Sequence, residues 1–154
     1  MIPIQEFSNN VVAFTNVATR VIVNEGRNKW QDSAVNRLNE LVKLEIGWDG
    51  YKGIPVSFEN ANFSYRMLEA VCGYDAPDPQ IVPGSYGDLQ VEWHVGSIEI
   101  ELHVTAPNRV HAWRKTRDTG PEGEEIDLTN DFTVIVDWIK ELSVQKVAHS
   151  SSAA

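Results

Sequence analysis

What this sequence is short of narrows the field first. It holds a single cysteine, Cys72, so no internal disulfide can form, and without a second thiol a zinc knuckle or a C-x-x-C redox pair is excluded. Cys72 is therefore expected in the core. No apolar run is long enough to cross a bilayer, and the opening MIPIQEFSNN lacks the basic flank and apolar block of a signal peptide. A cytoplasmic protein with no membrane contact is the expectation. Basic residues are also scarce: 13 Lys and Arg stand against 22 Asp and Glu, for a formal net charge of -9. The deficit is uneven, because up to Leu44 the acids Glu6, Glu25, Asp32 and Glu40 are matched by Arg20, Arg27, Lys29, Arg37 and Lys43. The excess of acid falls on the rest of the chain, which would repel nucleic-acid phosphates and favours a basic protein as partner. Finally, G-x-x-x-x-G-K-[ST], G-x-G-x-x-G, G-x-S-x-G and H-E-x-x-H are all missing. No catalytic residue, metal ligand or cofactor is assigned.

What is present reads as one globular unit. With 154 residues, 42% of them hydrophobic and 23% charged, the chain can bury a core unaided. Residues 1–148 are expected to form a single α+β domain, with 1–30 as an N-terminal helical extension and 149–154 as a disordered tail. In that extension Phe7, Val11, Phe14, Ala18 and Val21 recur at helical spacing, despite many β-branched neighbours, and Gly26 would end the helix. A second helix would be capped by Asp32 or Ser33, with Ala34, Leu38, Leu41 and Val42 as its stripe. A third should run from Ser57, its N-cap, to about Cys72, burying Ala61, Tyr65 and Leu68. The last should start near Thr129 to Asp131 and bury Phe132, Ile135, Val136, Ile139 and Leu142.

Residues 88–104, DLQVEWHVGSIEIELHV, alternate strictly, and Gly96-Ser97 fits a two-residue hairpin turn with glycine first. That turn fixes the register: Val95 faces Ile98, Trp93 faces Ile100, Val91 faces Leu102 and Leu89 faces Val104. The other face then sets Gln90 against His103, Glu92 against Glu101 and His94 against Glu99. Val110 to Arg117 should return as a third strand, GEEIDL can add a fourth, and Gln80 to Val82 one short strand more. The predicted fold is an antiparallel three- to four-stranded β-meander with helices packed on one face.

One stretch resists this periodic reading: GWDGYKGIPVS, residues 47–57. Asp49-Gly50 is a strong turn dipeptide, since the carboxylate can bond the following backbone while glycine takes positive φ. Trp48 and Tyr51 either fold back as anchors of a tight corner or, with Asp49, are displayed as a recognition loop. Together with PDPQIVPGSYGDLQVEWHVGSIEIELHV, the stretch resembles an uncharacterised family of small acidic bacterial and phage proteins bearing a GWDGY motif and a P-x-I-V-P…EWH hairpin. The resemblance spans roughly residues 38–113, departs from the family pattern at Ser85 and Tyr86, and transfers no chemistry. It implies an accessory protein of a conflict system, such as an antitoxin or an anti-defence, anti-CRISPR-like inhibitor.

The functional expectation is a non-enzymatic, acidic protein-binding module that inhibits another protein stoichiometrically, by covering a surface such as a basic nucleic-acid-binding groove. Its candidate contacts are Trp48, Asp49 and Tyr51 in the loop, and Glu92, Glu99, Glu101 and Trp113 on the sheet. Glu122, Glu124 and Glu125 add to them from the acidic segment 118–131. The alternatives are a small metal-dependent enzyme using His94, His103 and Glu101, and a homodimeric scaffold joined through the N-terminal helix.

Overall fold

A computed structural model of the protein describes residues 12–13, 22–23 and 28–152, with side chains over residues 28–147. The first four of these form two short strands, β1 (Val12–Ala13) and β2 (Ile22–Val23), paired antiparallel with Val12 opposite Val23. They correct the helix expected there: β-branched side chains are stiff at χ1 and suit extended backbone, and here that preference outweighs the helical spacing of the apolar residues. Phe7, Val11, Phe14, Ala18, Val21 and Gly26, which supported the helix, lie outside the described residues.

Helix α1 (Lys29–Val42) begins one turn earlier than expected, because its cap is Asn28 and not Asp32 or Ser33. The Gln31 side chain reaches back to accept the Asn28 amide and donates its own Nε2 to the Tyr65 hydroxyl at 3.0 Å. Helix α2 (Phe58–Val71) starts where the sequence places it, with Ser57 Oγ accepting from the Asn60 amide at 3.1 Å. Ala61, Tyr65 and Leu68 are fully buried along it, and Cys72 follows at 8% exposure.

The sheet contains β3 (Gln80–Pro83), β4 (Leu89–Val95), β5 (Ile98–Ala106), β6 (Arg109–Lys115) and β7 (Glu124–Leu128). Spatial order equals chain order and each neighbouring pair is antiparallel, so the meander has five strands where three or four were expected. The hairpin register is the deduced one throughout, and Gly96 turns it at φ +59°.

Period-2 alternation then sorts the side chains by face. Leu89, Val91, Trp93, Ile100, Leu102, Val104, Val110 and Ala112 are buried beneath the helices. Removing one Val- or Leu-sized side chain from water contributes about 1.5–3 kcal/mol, so this face supplies a large share of the driving force. Helix α2 lies between α1 and α3 (Thr133–Ser152), with α1 against β3, α2 against β5 and α3 against β4. In α3, Ile135, Ile139 and Leu142 are buried as expected, while Phe132 and Val136 are half-buried and Trp138 joins the core instead. The helix continues to Ser152 and so takes in residues 149–152 of the expected tail.

Candidate protein-binding surfaces

The side of the sheet turned away from the helices carries the polar half of each strand. Its rows are set by the ladders: Gln90, His103, His111 and Asp127 lie in one, Gln80, Glu92, Glu101, Trp113 and Glu125 in the next, and His94, Glu99 and Lys115 in the third. Glu92, Glu99 and Glu101 thus share this side as the hairpin register predicts, and Trp113, Glu125 and Asp127 join them. Glu92 faces Glu101 directly, a like-charge pair that destabilises a sheet unless something cationic approaches it.

The acids are not equally open. Glu92 is largely shielded, its side chain 18% exposed between Gln90, which donates Nε2 at 2.8 Å, and His94 at 3.3 Å. Glu125 and Asp127 are far more open, at 70% and 88%. Both touch His111, whose hydrogen bond to Asp127 at 2.8 Å and whose carboxylate neighbours raise its pKa against slight desolvation. Trp113 shares this side but is half-buried, since its Nε1 donates to the Glu122 carbonyl at 3.0 Å and its ring lies over Gly123. Trp113, a candidate contact from the sequence, therefore anchors the 120–123 turn.

Glu124 does not belong with the other acids. It pairs with Arg114, which sits opposite Ile100 on the helix side, and the guanidinium Nε donates to Glu124 at 2.7 Å and Nη1 to Glu141 at 2.9 Å while stacking 4.8 Å over Trp138. Arg114 thus fastens α3 to β6 through Glu141 and Trp138, and Glu124 ties β7 to the same guanidinium. Glu122 lies in the exposed turn beside Gly123, with its carbonyl engaged by Trp113.

His94, His103 and Glu101 do not converge on one point. His94 contacts Glu92, His103 Nε2 lies 2.6 Å from Asp88 Oδ2, and Glu101 faces Glu92 and Trp113. Among the described residues no group of three or more His, Cys, Asp or Glu is placed to hold a metal ion. Elsewhere, burial pushes the Glu69 carboxyl on α2 up to about 7 against the pull of Arg66, and pushes the Cys72 thiol up to about 12.

The second surface is the end of the molecule where residues 44–57 meet residues 84–88. Gly47 and Gly50 adopt φ +86° and +82°, which turns the first loop back so that the Gly47 amide donates to the Gly53 carbonyl at 2.7 Å. Asp49 fills the loop. Its Oδ1 accepts from the amides of Tyr51 and Gly53, both at 2.9 Å, and its Oδ2 accepts from Ser85 Oγ at 2.8 Å. Those bonds, the Gly53 amide foremost, hold its carboxyl below the usual range. A Cβ at Gly53 would lie 2.6 Å from that carboxylate, so glycine is needed there for space.

The second loop uses the same parts in the opposite order. A Cβ at Gly84 would sit 2.2 Å from the Asp88 carboxylate, which accepts the Tyr86 amide at 3.0 Å and contacts His103. Partial burial opposes ionisation of Asp88, but the bonds from His103 and Tyr86 outweigh it and lower its pKa. The two loops interlock through Ile54 N to Ser85 O at 3.1 Å and Ser57 N to Gly87 O at 3.0 Å, and the buried Asn60 Nδ2 donates to Gly87 O at 2.9 Å.

Both sequence readings of the 47–57 stretch find their residues here. Trp48 is a half-buried anchor whose Nε1 donates to the Ile54 carbonyl at 2.9 Å, and Asp49 is committed to its own loop. Tyr51 is displayed, at 79% exposure. Sequence reasoning missed its companions Ile46, Ile54 and Tyr86; the signal was there at Tyr86, a large aromatic between turn residues in PGSYGD. Set against protein-family models, curated proteins and solved structures, the chain finds no match in any of the three.

Proposed function

We propose that the protein is a non-enzymatic binding module that docks the acidic side of its meander onto a basic surface of another protein and inhibits that protein by occlusion. The observation that carries this reading is the register of β4 to β7, which places Glu92, Glu99, Glu101, Glu125 and Asp127 on the side away from the helices with Lys115 as the one Lys or Arg among those rows. Opposing Glu92 and Glu101 costs stability, and a cation supplied from outside relieves that cost. In its sharper form the partner surface is a basic nucleic-acid-binding groove, as for an antitoxin or an anti-CRISPR-like inhibitor. Such a protein works one to one, because covering a groove consumes one inhibitor per target.

The test is affinity capture from host lysate at graded salt, with Glu101→Lys/Glu125→Lys as the comparison. A partner retained at low salt, released as the Debye length shrinks, and lost with the double variant supports the proposal. Retention that ignores both salt and the charge reversal overturns it.

A further inference from the structure

Large apolar side chains are exposed singly at several places, but the interlocked loops gather four: Tyr86 at 90%, Ile46 at 81%, Tyr51 at 79% and Ile54 at 44%. Ile54 and Tyr86 are backbone neighbours in a parallel bridge, and Ile46 adjoins Gly47, whose amide is bonded to Gly53. The loops beneath them are locked. Asp49 accepts three hydrogen bonds from within the two loops, the Trp48 indole closes the first loop on Ile54 O, and Asp88 fastens the second to β5 through His103. Little loop entropy is left to lose on binding, so burial of these side chains converts efficiently into affinity.

We propose that the two interlocked loops are a preformed apolar docking platform for large apolar side chains carried within a Lys- and Arg-rich segment of the protein partner. Charge selects that occupant. The platform joins the acidic side of the sheet through one carboxylate, since Asp88 holds the Tyr86 amide with one oxygen and contacts His103 of the sheet with the other. A segment seated on Tyr51 and Tyr86 therefore continues over Glu101 and Asp127, where its cations meet carboxylates, while Tyr51, whose ring already carries Lys52 Nζ 5.6 Å from its centroid, offers it apolar contact. A second copy of this chain is a poor occupant, because it brings another net charge of -9 to the same place.

The proposal rests on the acidic docking proposed above, and fluorescein-labelled peptide probes separate the two. The probes alternate Arg with Leu, Arg with Gly, and Glu with Leu, and binding is read by anisotropy. The wild-type chain is expected to bind the Arg-Leu peptide about tenfold more tightly than the Arg-Gly peptide, and the Glu-Leu peptide not at all. Tyr51→Ala/Tyr86→Ala, checked for an unchanged melting temperature, should remove that tenfold advantage and leave Arg-Gly binding as it was. Glu101→Lys/Glu125→Lys should weaken both cationic peptides. If the tyrosine variant keeps the Arg-Leu preference, the platform is overturned while the acidic docking stands. If the charge reversal leaves both cationic peptides bound, the acidic docking falls instead. Dimers by light scattering that dissociate in the tyrosine variant would make a second copy the occupant and also overturn the proposal.

Discussion

The two loops at the end of the sheet are built from the same device run in opposite directions. In the first, an aspartate lies over the glycine four residues after it, Asp49 over Gly53; in the second, over the glycine four residues before it, Asp88 over Gly84. Their partners differ. Asp49 is bonded by backbone amides and by Ser85, all within the loops, whereas Asp88 also reaches out to a histidine on the sheet. The first carboxylate binds the loops to each other, and the second ties them to the sheet. The same local chemistry thus makes one loop a rigid insert and the other a link between the platform and the acidic side.

The largest effect on this pair is expected from Gly84→Ala, where the new methyl displaces the Asp88 carboxylate and forfeits both its bonds; thermal or urea denaturation should show a loss of about 2 kcal/mol. Gly53→Ala should lower the melting temperature by less, because Asp49 lies at the surface, and combining it with Asp49→Ala should add nothing further. Additive losses in that cycle would mean that the carboxylate and the glycine are not coupled. Gly50→Ala forces a Cβ into φ +82° with open space around it, so its cost, about 1 kcal/mol, is purely conformational. His103→Gln is the smallest change and the sharpest, since it should loosen the second loop alone, read as faster amide exchange at Tyr86 with no change at Tyr51. Equal effects at both would dissolve the distinction between the two aspartates.

Acid offers a further contrast. Both aspartates titrate below their ordinary values, so each contributes stability that is present above the unfolded carboxylate pKa and lost as pH falls through the folded one. His111 has the opposite sign: its raised pKa contributes stability below the unfolded histidine value, lost as pH rises through the folded one. Asp88→Asn should therefore lower the melting temperature at neutral pH and converge with wild type in strong acid, while His111→Gln should matter in mild acid and fade in alkali. A pH-independent difference in either variant would contradict the assigned bonds.

The sheet was legible because its signal is local. A strict period of two with a Gly-Ser turn leaves one register that puts Leu89, Val91, Trp93, Ile98 and Leu102 on a common side, and the observed ladder is that register. Asp49-Gly50 likewise announces its own turn, and the bond from Tyr51 N to Asp49 Oδ1 is the expected one. What stayed hidden depends on residues distant in sequence. Ser85 meets Asp49 across 36 positions, and that bond with the Ile54–Tyr86 bridge brings Tyr51 and Tyr86 to the same end of the molecule. Trp138 enters the core because Arg114 comes from β6 to cover it, and Glu124 leaves the acidic group for the same reason. The start of α1 is local and readable all the same: Asn28 with Gln31 three residues on is a capping-box pattern, which precedes the equally cap-competent Asp32 and Ser33.

The two outermost strands have a consequence for how the molecule behaves in a crowded solution. On one border β3 is only four residues long and ends in Pro83, whose missing N–H interrupts any outward ladder; on the other, β7 presents Glu124, Glu125 and Asp127. A short proline-ended rim and an anionic rim both discourage a foreign strand from zippering on. Both margins of the sheet thus disfavour fibre-like growth, which leaves side chains as the main means of contact.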